Sequence, residues 1–320
     1  MKRNKTALKR ALLEVLQFVL VLFIISFLTF SIMHLSPKNP AELWLMGTDG
    51  NVGMISDEAV RIQEKVMGLD KPFLVQYGNW LGKAIRGDLG ISFSTNRPVT
   101  EELRIHVVPT LQLTFISLVL TILLAVPSGI LSAVYKESLI DQVIRFFSFI
   151  GISVASFVMG LFLLWVFSIR MDLLPVIAEE GVKGLILPVA VLTIQSASRM
   201  TRQIRAIILD QLNEPYVEGA LLRGVSYRKV LFGHVLRNSA VPILTQISIY
   251  TGVLLGGATI IESIFSINGL GRLAVRSITH MDYYMIQGFV LWSALVYLVI
   301  NLITDLLSRL IDPRIRYGTE

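Results

Sequence analysis

The chain has 320 residues, of which 53% are hydrophobic and only 16% are charged, against about 25% charged residues in an ordinary soluble domain. It has no cysteine, which excludes disulfides, thiolate metal ligands and a cysteine nucleophile. The formal net charge of +6 is concentrated at the N-terminus and in one later loop. That pattern follows the positive-inside rule for membrane proteins and disfavours nucleic-acid binding.

Long apolar blocks predict an all-α polytopic membrane protein, because a helix needs about 20 mainly apolar residues to cross about 30 Å of hydrocarbon. The first block is longer than the apolar core of a secretory signal, about 7–15 residues, and no small-residue cleavage site follows it. It is therefore predicted to be an uncleaved span. Six predicted transmembrane helices cover about 12–35, 111–135, 143–169, 185–207, 239–261 and 285–311.

The loop charges predict the orientation of these spans. The N-terminus is basic, and the 199–237 loop has seven Lys or Arg against three acidic residues, which indicates that both are cytoplasmic. Six crossings then return the C-terminus to the cytoplasm. No repeat or Pro/Ser-rich linker divides the chain, so 1–320 is predicted to form a single transmembrane domain.

The first external segment, 36–110, is too long for a bare connection and is predicted to be a partly folded extracellular insertion. Ser56 has N-cap character before a helical stretch that Gly68 ends. A second short helix is predicted from Phe73 to Ile85. Its Tyr77 and Trp80 can either sit at the lipid headgroups or pack against the insertion itself.

The loop 213–238 is predicted to hold a short helix, a glycine turn and a second helix. Pro215 suits a first helical turn, because its missing N–H needs no intrahelical partner there. Gly224 is typical of a helix C-cap. The second helix is predicted from about Tyr227 to Arg237.

This loop resembles the EAA loop of ATP-binding-cassette importer permeases, whose pattern is Glu-Ala-Ala, three residues and Gly. The corresponding residues here are Glu218, Gly219, Ala220, Leu221, Leu222, Arg223 and Gly224. Downstream, Arg237 stands where that pattern has Pro. His234-Val235-Leu236-Arg237-Asn238 resembles instead the His-x-x-Arg-Asn segment of the peptide and nickel branch.

Segments elsewhere resemble the same branch: Gly68-Leu69-Asp70-Lys71-Pro72, Val75-Gln76-Tyr77, Gly87-Asp88-Leu89-Gly90, Arg97-Pro98-Val99, Gly256-Gly257, Ile261-Glu262, Phe265, Gly269-Leu270-Gly271 and Asp312-Pro313-Arg314. Asn268 departs from the family's usual Pro. The chain thus resembles, over nearly its whole length, the first-permease (B-type) subunits of dipeptide, oligopeptide and nickel importers.

The resemblance implies a non-catalytic subunit that forms half of a translocation pathway in a bacterial cytoplasmic membrane. The implied partners are a second homologous permease, two ATP-binding subunits that hold ATP and Mg, and an extracellular or periplasmic substrate-binding protein. The chain has no phosphate-binding Gly-x4-Gly-Lys-Ser/Thr loop, and no cofactor is expected on it.

The resemblance also implies roles within the EAA-like loop, Glu218 to Gly224, as the ATPase-coupling element. Glu218 and Arg223 would make polar contacts with the ATP-binding subunit. Gly219 and Ala220 would keep the contacting face slim. Leu221 and Leu222 are expected to pack against the membrane domain.

Polar residues inside the spans are candidates for the translocation pathway, because such residues tend to face a bundle interior or an aqueous cavity. Hydrogen bonds between helices are the equal alternative. These candidates are Gln195, Ser198, Gln246 and Ser248, with Ser196 beside them.

No catalytic or metal site is expected, because the four histidines lack metal-ligand spacing. An ion-driven secondary transporter is the main alternative, but it would need ionisable residues near mid-membrane depth, which the spans largely lack. A membrane enzyme would need a catalytic set at a membrane face. The substrate stays open between peptides and nickel complexes. Two sets of residues are slightly nearer the nickel members: Gly90-Ile91-Ser92-Phe93 with Arg97-Pro98-Val99, and Asp282-Tyr283 with Ile286-Gln287.

Overall fold

The computed structural model describes residues 2–35, 39–46, 56–178 and 181–311, with side chains from residue 16 onward. This part of the chain is nearly all helical, as predicted. Its helices are α1 (Lys2–His34), α2 (Pro40–Met46), α3 (Asp57–Met67), α4 (Phe73–Ala84), α5 (Val99–Val134), α6 (Leu139–Ser153), α7 (Ser156–Leu164), α8 (Val182–Leu212), α9 (Pro215–Leu222), α10 (Tyr227–Val230), α11 (Leu236–Ile264), α12 (Leu270–Thr279) and α13 (Tyr283–Ile311). The C-terminal Asp312-Pro313-Arg314 motif lies outside the described residues.

Four described helices are long and apolar enough to cross a membrane: Leu16–His34, α5, the continuous stretch Tyr227–Ile264, and α13. A fifth crossing is possible if the bent pair α6 and Ser156–Arg170 is one span. Helix α8 contains the predicted fourth span, 185–207, but is not among these helices. The described chain therefore supports four or five apolar crossings, and six stays a prediction.

The predicted third span, 143–169, is not one continuous helix. It breaks at Val154 and Ala155, whose extended backbone angles end α6 and begin α7, and the two parts are bent by 96°. α7 continues into a π-helical turn, Trp165–Arg170. No local sequence signal marks this break, because the segment has neither Pro nor Gly there.

The chain divides into two compact units, residues 1–108 with 273–299, and residues 109–272 with 300–320. In the second unit, α8 packs against α6, α7 and α11. The buried residues of α8 include Val191, Met200, Ile204 and Ile208, all 0% exposed. α8 is thus the central helix of this unit, which accounts for a sequence that is less uniformly apolar than that of a lipid-facing helix.

The first unit contains the helices of the predicted insertion. The Ser56 hydroxyl accepts a hydrogen bond from the Ala59 N–H (3.2 Å), and Gly68 ends α3 with a φ of +72°. Both features confirm the predicted helix limits, and α4 ends at Ala84, one residue before its predicted end. The insertion is therefore partly helical, while its position outside the membrane stays a prediction.

Tyr77 and Trp80 of α4 are buried, at 5% and 6% exposure. Their rings pack against Phe30 of α1, and Phe23 and Phe27 also contact Tyr77. The Tyr77 hydroxyl lies 2.8 Å from the Ser26 hydroxyl. The two rings thus pack against the first long helix, a partner that neither alternative named, and their place relative to the lipid headgroups stays a prediction.

Candidate functional site

The first element of the candidate site is α9, which forms as predicted within the loop 213–238. It begins with Pro215 in its first turn, after Glu214 in extended conformation. At its end, the Gly224 N–H donates to the Leu221 carbonyl (2.9 Å), and the Val225 N–H donates to the Ala220 carbonyl (3.2 Å). These two bonds and the Gly224 φ of +80° form a Schellman motif, which satisfies carbonyls that a helix end leaves free.

The burial of the α9 residues contradicts part of the roles that were predicted for them. Val217 and Ala220 are each 4% exposed and belong to the same core cluster as Val230. Leu221 and Leu222 are 40% and 82% exposed, so the expectation that they pack against the membrane domain was wrong. Ala220 thus faces the core, and the two leucines form part of the outward face.

The other α9 candidates lie at the surface. Glu218, Arg223 and Gly224 are exposed, and Gly219 is half-buried. A Cβ added to Gly219 would lie 3.5 Å from the Arg223 guanidinium, and a Cβ added to Gly224 would meet nothing within 4 Å. Gly224 is therefore required for its backbone conformation and not for space.

The second helix of the loop does not end at Arg237 as predicted. α10 passes through a π-helical turn, Leu231–Val235, directly into α11. The outward residues Tyr227 and Phe232 are 43% and 68% exposed. The exposed face of the loop thus combines apolar rings and leucines with the charged residues Glu218 and Arg223.

The sequence reasoning missed a buried ion pair between α6 and α8. The Arg205 guanidinium donates to both carboxylate oxygens of Asp141, at 2.9 and 2.8 Å, and Asp141 is completely buried. The Ser132 hydroxyl (2.5 Å) and the Glu137 N–H (3.0 Å) also donate to this carboxylate. The available signal was Ser138 three residues before Asp141, a capping-box spacing; nothing in the sequence indicated Arg205, 64 residues away.

Two pathway candidates meet at the break between α6 and α7. The Gln195 amide donates to the Val154 carbonyl (2.9 Å), one of the carbonyls that the broken helix leaves without an intrahelical partner. One turn along α8, Ser198 packs so closely on Gly151 of α6 that a Cβ there would overlap its hydroxyl. Discontinuous helices with free backbone groups form binding sites in several transporter folds.

The other two pathway candidates lie on α11. The buried Ser248 hydroxyl donates to the Asn301 side-chain oxygen of α13 (3.2 Å), and Gln246 is half-buried. Ser248 and Gln195 both make hydrogen bonds between helical segments, the alternative that the sequence left open. Such bonds are compatible with a pathway role and do not by themselves indicate one.

A second buried carboxylate holds the turn between α11 and α12. Glu262 is 0% exposed and accepts hydrogen bonds from the Thr110 hydroxyl (2.6 Å) and the Arg272 N–H (3.1 Å). The Thr110 hydroxyl in turn accepts the Leu270 N–H (2.8 Å). A Cβ on Gly269 would overlap the Glu262 carboxylate, so this glycine is needed for close approach.

The two segments compared with nickel importers meet in the first unit. Asp282 is completely buried, and its carboxylate accepts hydrogen bonds from the Ser92 hydroxyl (2.5 Å) and the Ser94 N–H (3.1 Å). Among the described residues, no group of three or more His, Asp or Glu is placed to hold a metal ion. The Ser92–Asp282 hydrogen bond thus joins the two segments directly.

Long apolar helices, a broken helix packed on a central helix, and an exposed helix–turn–helix define a helical membrane protein. A chain of the MetNI methionine ABC transporter in an inward-facing conformation has the same fold, with a TM-score of 0.52 and 16% identity over 66% of this chain and 96% of that chain.

The family is defined by sequence. Residues 125–317 match the family described as binding-protein-dependent transport system inner membrane component, and residues 8–114 match its N-terminal family. The chain belongs to this family. The glutathione transport system permease protein GsiC is 37% identical in Shigella flexneri serotype 5b and 36% identical in Escherichia coli K12, over 92% of this chain and 95% of the relative. The predicted membership of the peptide and nickel-type importer permeases is confirmed.

Proposed function

We propose that this chain is one of two permease subunits of an ATP-driven importer of small peptides. The relatives at 36–37% identity are permeases of a glutathione transport system, and glutathione is a tripeptide. The residues nearer the nickel members, Ser92 and Asp282, bind each other in a buried contact, so they carry no argument for a metal cargo.

In this proposal the chain crosses the membrane six times, with both termini in the cytoplasm. The α6–α7 pair acts as one broken crossing, and α8 is the crossing shielded from lipid by its neighbours. Gln195, Ser198, Gln246 and Ser248 contribute to the pathway, and the break brings to it the Val154 carbonyl, which has no partner within its own helix. The buried position of α8 supports this count because a shielded helix can carry polar residues that a lipid-facing helix cannot.

Energy reaches the chain through α9. The observation that carries this step is the outward face of Leu221 and Leu222, at 40% and 82% exposure, on a helix anchored from behind by Val217 and Ala220. Exposed apolar side chains beside charged ones are typical of a protein–protein contact. The partner is an ATP-binding subunit that holds ATP and Mg, and a substrate-binding protein delivers the peptide on the other side.

The cargo is tested by uptake into proteoliposomes that contain the assembled importer and its binding protein. We expect ATP-dependent accumulation of glutathione or of short peptides, and no accumulation of nickel or its chelates. Uptake of nickel complexes alone would contradict the peptide assignment.

The docking step is tested by Leu222→Ser, with Ile62→Ser as the matched control. Both side chains are exposed, at 82% and 59%, and Ile62 lies on α3 in the other unit. We expect Leu222→Ser to weaken co-purification of the ATP-binding subunits and to lower uptake at least severalfold, because a buried Leu contributes about 1.5–3 kcal/mol. Equal losses in the two variants would contradict docking through α9.

Gly224→Val tests the same element through its backbone. A β-branched residue is strained at a φ of +80°, which costs roughly 1–2 kcal/mol, and a Cβ at this position would meet nothing within 4 Å. We expect loss of uptake with normal membrane insertion. Full uptake by this variant would show that the turn is not needed for coupling.

A further inference from the structure

The second unit contains an open cavity of about 620 Å³ between α6 and α8. One wall consists of α6 side chains at positions i, i+3, i+4 and i+7, which share one face of a helix. The other wall consists of two arginines one turn apart on α8. The lining residues are Gln142, Arg145, Phe146, Phe149, Arg202 and Arg205. Within the described chain, neither the exposed face of α9 nor a pathway candidate is part of this lining.

The lining has three positive charges and, among the described residues, no negative one. Arg205 and Arg145 both reach the same oxygen of Asp141, Oδ1, with their Nε atoms at 2.9 and 3.7 Å, so their guanidinium groups lie side by side. The Asp141 side chain is 0% exposed and cannot meet a molecule in the cavity. It compensates one of the three charges, and the cavity therefore keeps a positive excess.

The guanidinium groups of the cavity can be reached from it. The side chains of Arg145 and Arg205 are 53% and 19% exposed, and Arg202 is exposed. Arg202 forms no ion pair with any described residue. A guanidinium has donors and no acceptor, and its planar fork matches the oxygens of a phosphate. The cavity thus selects an anion, and a phosphate group fits it best.

Apolar rings lie directly beside these charges. Phe146 and Phe149 are 60% and 65% exposed, and both belong to the same α6 face as Arg145. A soluble phosphate compound would leave these rings uncovered. A phospholipid has both parts that the cavity offers to bind, a phosphate for the arginines and acyl chains for the rings.

The position of the cavity along the spans agrees with this occupant. Arg145 lies at the start of the predicted span 143–169, and Arg202 lies near the end of the predicted span 185–207, beside the basic loop 199–237. The charges are therefore at one end of two packed spans, where a lipid headgroup would lie. Basic pockets between spans on the cytoplasmic side are known sites for anionic lipid headgroups.

We propose that this cavity binds an anionic phospholipid of the leaflet on the cytoplasmic side. The phosphate accepts hydrogen bonds from Arg145, Arg202 and Arg205, and the acyl chains lie against Phe146 and Phe149. Because the arginines come from both α6 and α8, the bound lipid links these two helices. The choice of leaflet rests on the orientation in the proposed function, whereas the charges and rings of the cavity do not depend on it.

The binding test uses the assembled importer in lipid nanodiscs and three probes. Phosphatidylglycerol is anionic, phosphatidylcholine with the same acyl chains has no net charge, and glycerophosphoglycerol is the phosphatidylglycerol headgroup without its chains. Native mass spectrometry counts the lipids that the importer retains on release from mixed nanodiscs. We expect a preference of about twenty-five-fold for phosphatidylglycerol over phosphatidylcholine, because each of two uncompensated cations near a membrane surface contributes about fivefold. Glycerophosphoglycerol should displace none of the retained lipid.

The variants are Arg145→Gln and Arg202→Gln, with Lys136→Gln as the matched control. Lys136 is exposed in the same unit, between α5 and α6, and is not part of the lining. We expect each cavity variant to lower phosphatidylglycerol retention about fivefold and the control to leave it unchanged. Arg205 is kept, because its removal would leave Asp141 buried without its partner. Both cavity arginines are exposed, so the melting temperatures in phosphatidylcholine should equal that of the wild type.

The leaflet is tested by Arg145→Cys, which introduces a single thiol because the chain has no cysteine. In phosphatidylcholine proteoliposomes, a membrane-impermeant maleimide should label this thiol from the side of the ATP-binding subunits. Labelling from the opposite side alone would overturn the leaflet assignment together with the proposed orientation. Absence of labelling from both sides would show that a partner subunit covers the cavity, which would also overturn the proposal.

The lipid itself is ruled out by either of two results: equal retention of the two phospholipids, or equal phosphatidylglycerol retention by the wild type and both cavity variants. Displacement by glycerophosphoglycerol would assign the cavity to a soluble phosphate compound instead. Binding is measured without uptake, so it is independent of the cargo. Selective retention by an importer that takes up no peptide would support the lipid site and contradict the peptide assignment alone.

Discussion

The contact between Gly151 and Ser198 gives a sharp test of the packing of α6 on α8. Gly151 is buried on α6, three residues before the break at Val154. In Gly151→Ala the new Cβ would overlap the Ser198 hydroxyl and lie 2.9 Å from the Ser198 Cβ. Since both atoms belong to a packed helix, the two helices must separate or one of them must shift.

The expected magnitude follows from two opposing effects. Overpacking a buried site costs about 1–3 kcal/mol, and replacing Gly by Ala within a helix returns about 0.8–1 kcal/mol. Gly257→Ala on α11 is the matched control, since its Cβ would lie at an ordinary 3.8 Å from Leu192. The propensity gain is shared by the two variants, so their unfolding free energies should differ by about 1–3 kcal/mol.

The assay is thermal unfolding of the purified importer, followed by uptake. We expect Gly151→Ala to melt lower than Gly257→Ala and to transport less, because Ser198 and Gln195 lie on the face that it displaces. Ser198→Ala in the same chain removes the overlapping hydroxyl and should recover part of both losses. A Gly151→Ala importer as stable as the Gly257→Ala importer would refute the packing argument.

Three further substitutions test the buried polar contacts. Asp141→Asn leaves the Arg205 charge partly buried without its partner and should lower the free energy of unfolding by about 3–5 kcal/mol, measured by thermal unfolding. Breaking an exposed ion pair lowers it by only about 0–1 kcal/mol. A loss in that lower range would contradict the role of this pair. Thr110→Val removes a hydrogen-bond donor from Glu262 and should lower the free energy of unfolding by about 1–3 kcal/mol, with earlier proteolytic cleavage after α11. Unchanged cleavage would contradict the role of Thr110 and Glu262 in holding the turn between α11 and α12. Asp282→Asn should destabilise only the first unit, so that cleavage between α4 and α5 quickens while α8 keeps its hydrogen-exchange protection; a loss of protection in α8 would contradict this.

Local signals in the sequence were sufficient for the short helices. Ser56 and Gly68 fix the limits of α3, and Pro215 and Gly224 fix those of α9, because caps act within one helical turn. These features could be predicted since each depends on residues close together in the chain.

The features that could not be predicted depend on contacts between residues far apart in the chain. The break at Val154 is completed by Gln195, 41 residues away, and a segment of ordinary apolar residues carries no local sign of it. The outward position of Leu221 and Leu222 on α9 was missed for a similar reason. Eight residues are too few for a clear apolar period, so tertiary packing of Ala220, and not residue size, decides which side is buried.

The continuous helix from Tyr227 to Ile264 has a mechanical consequence. Its 38 residues make a rod of about 57 Å at about 1.5 Å per residue. A tilt of about 5° at one end would move the other end by about 5 Å, roughly one helical turn. One helix thus joins the end nearest α9 to the end that carries Glu262, so a small push at the first end reaches the second and must repack the side chains through which α11 contacts α7 and α8.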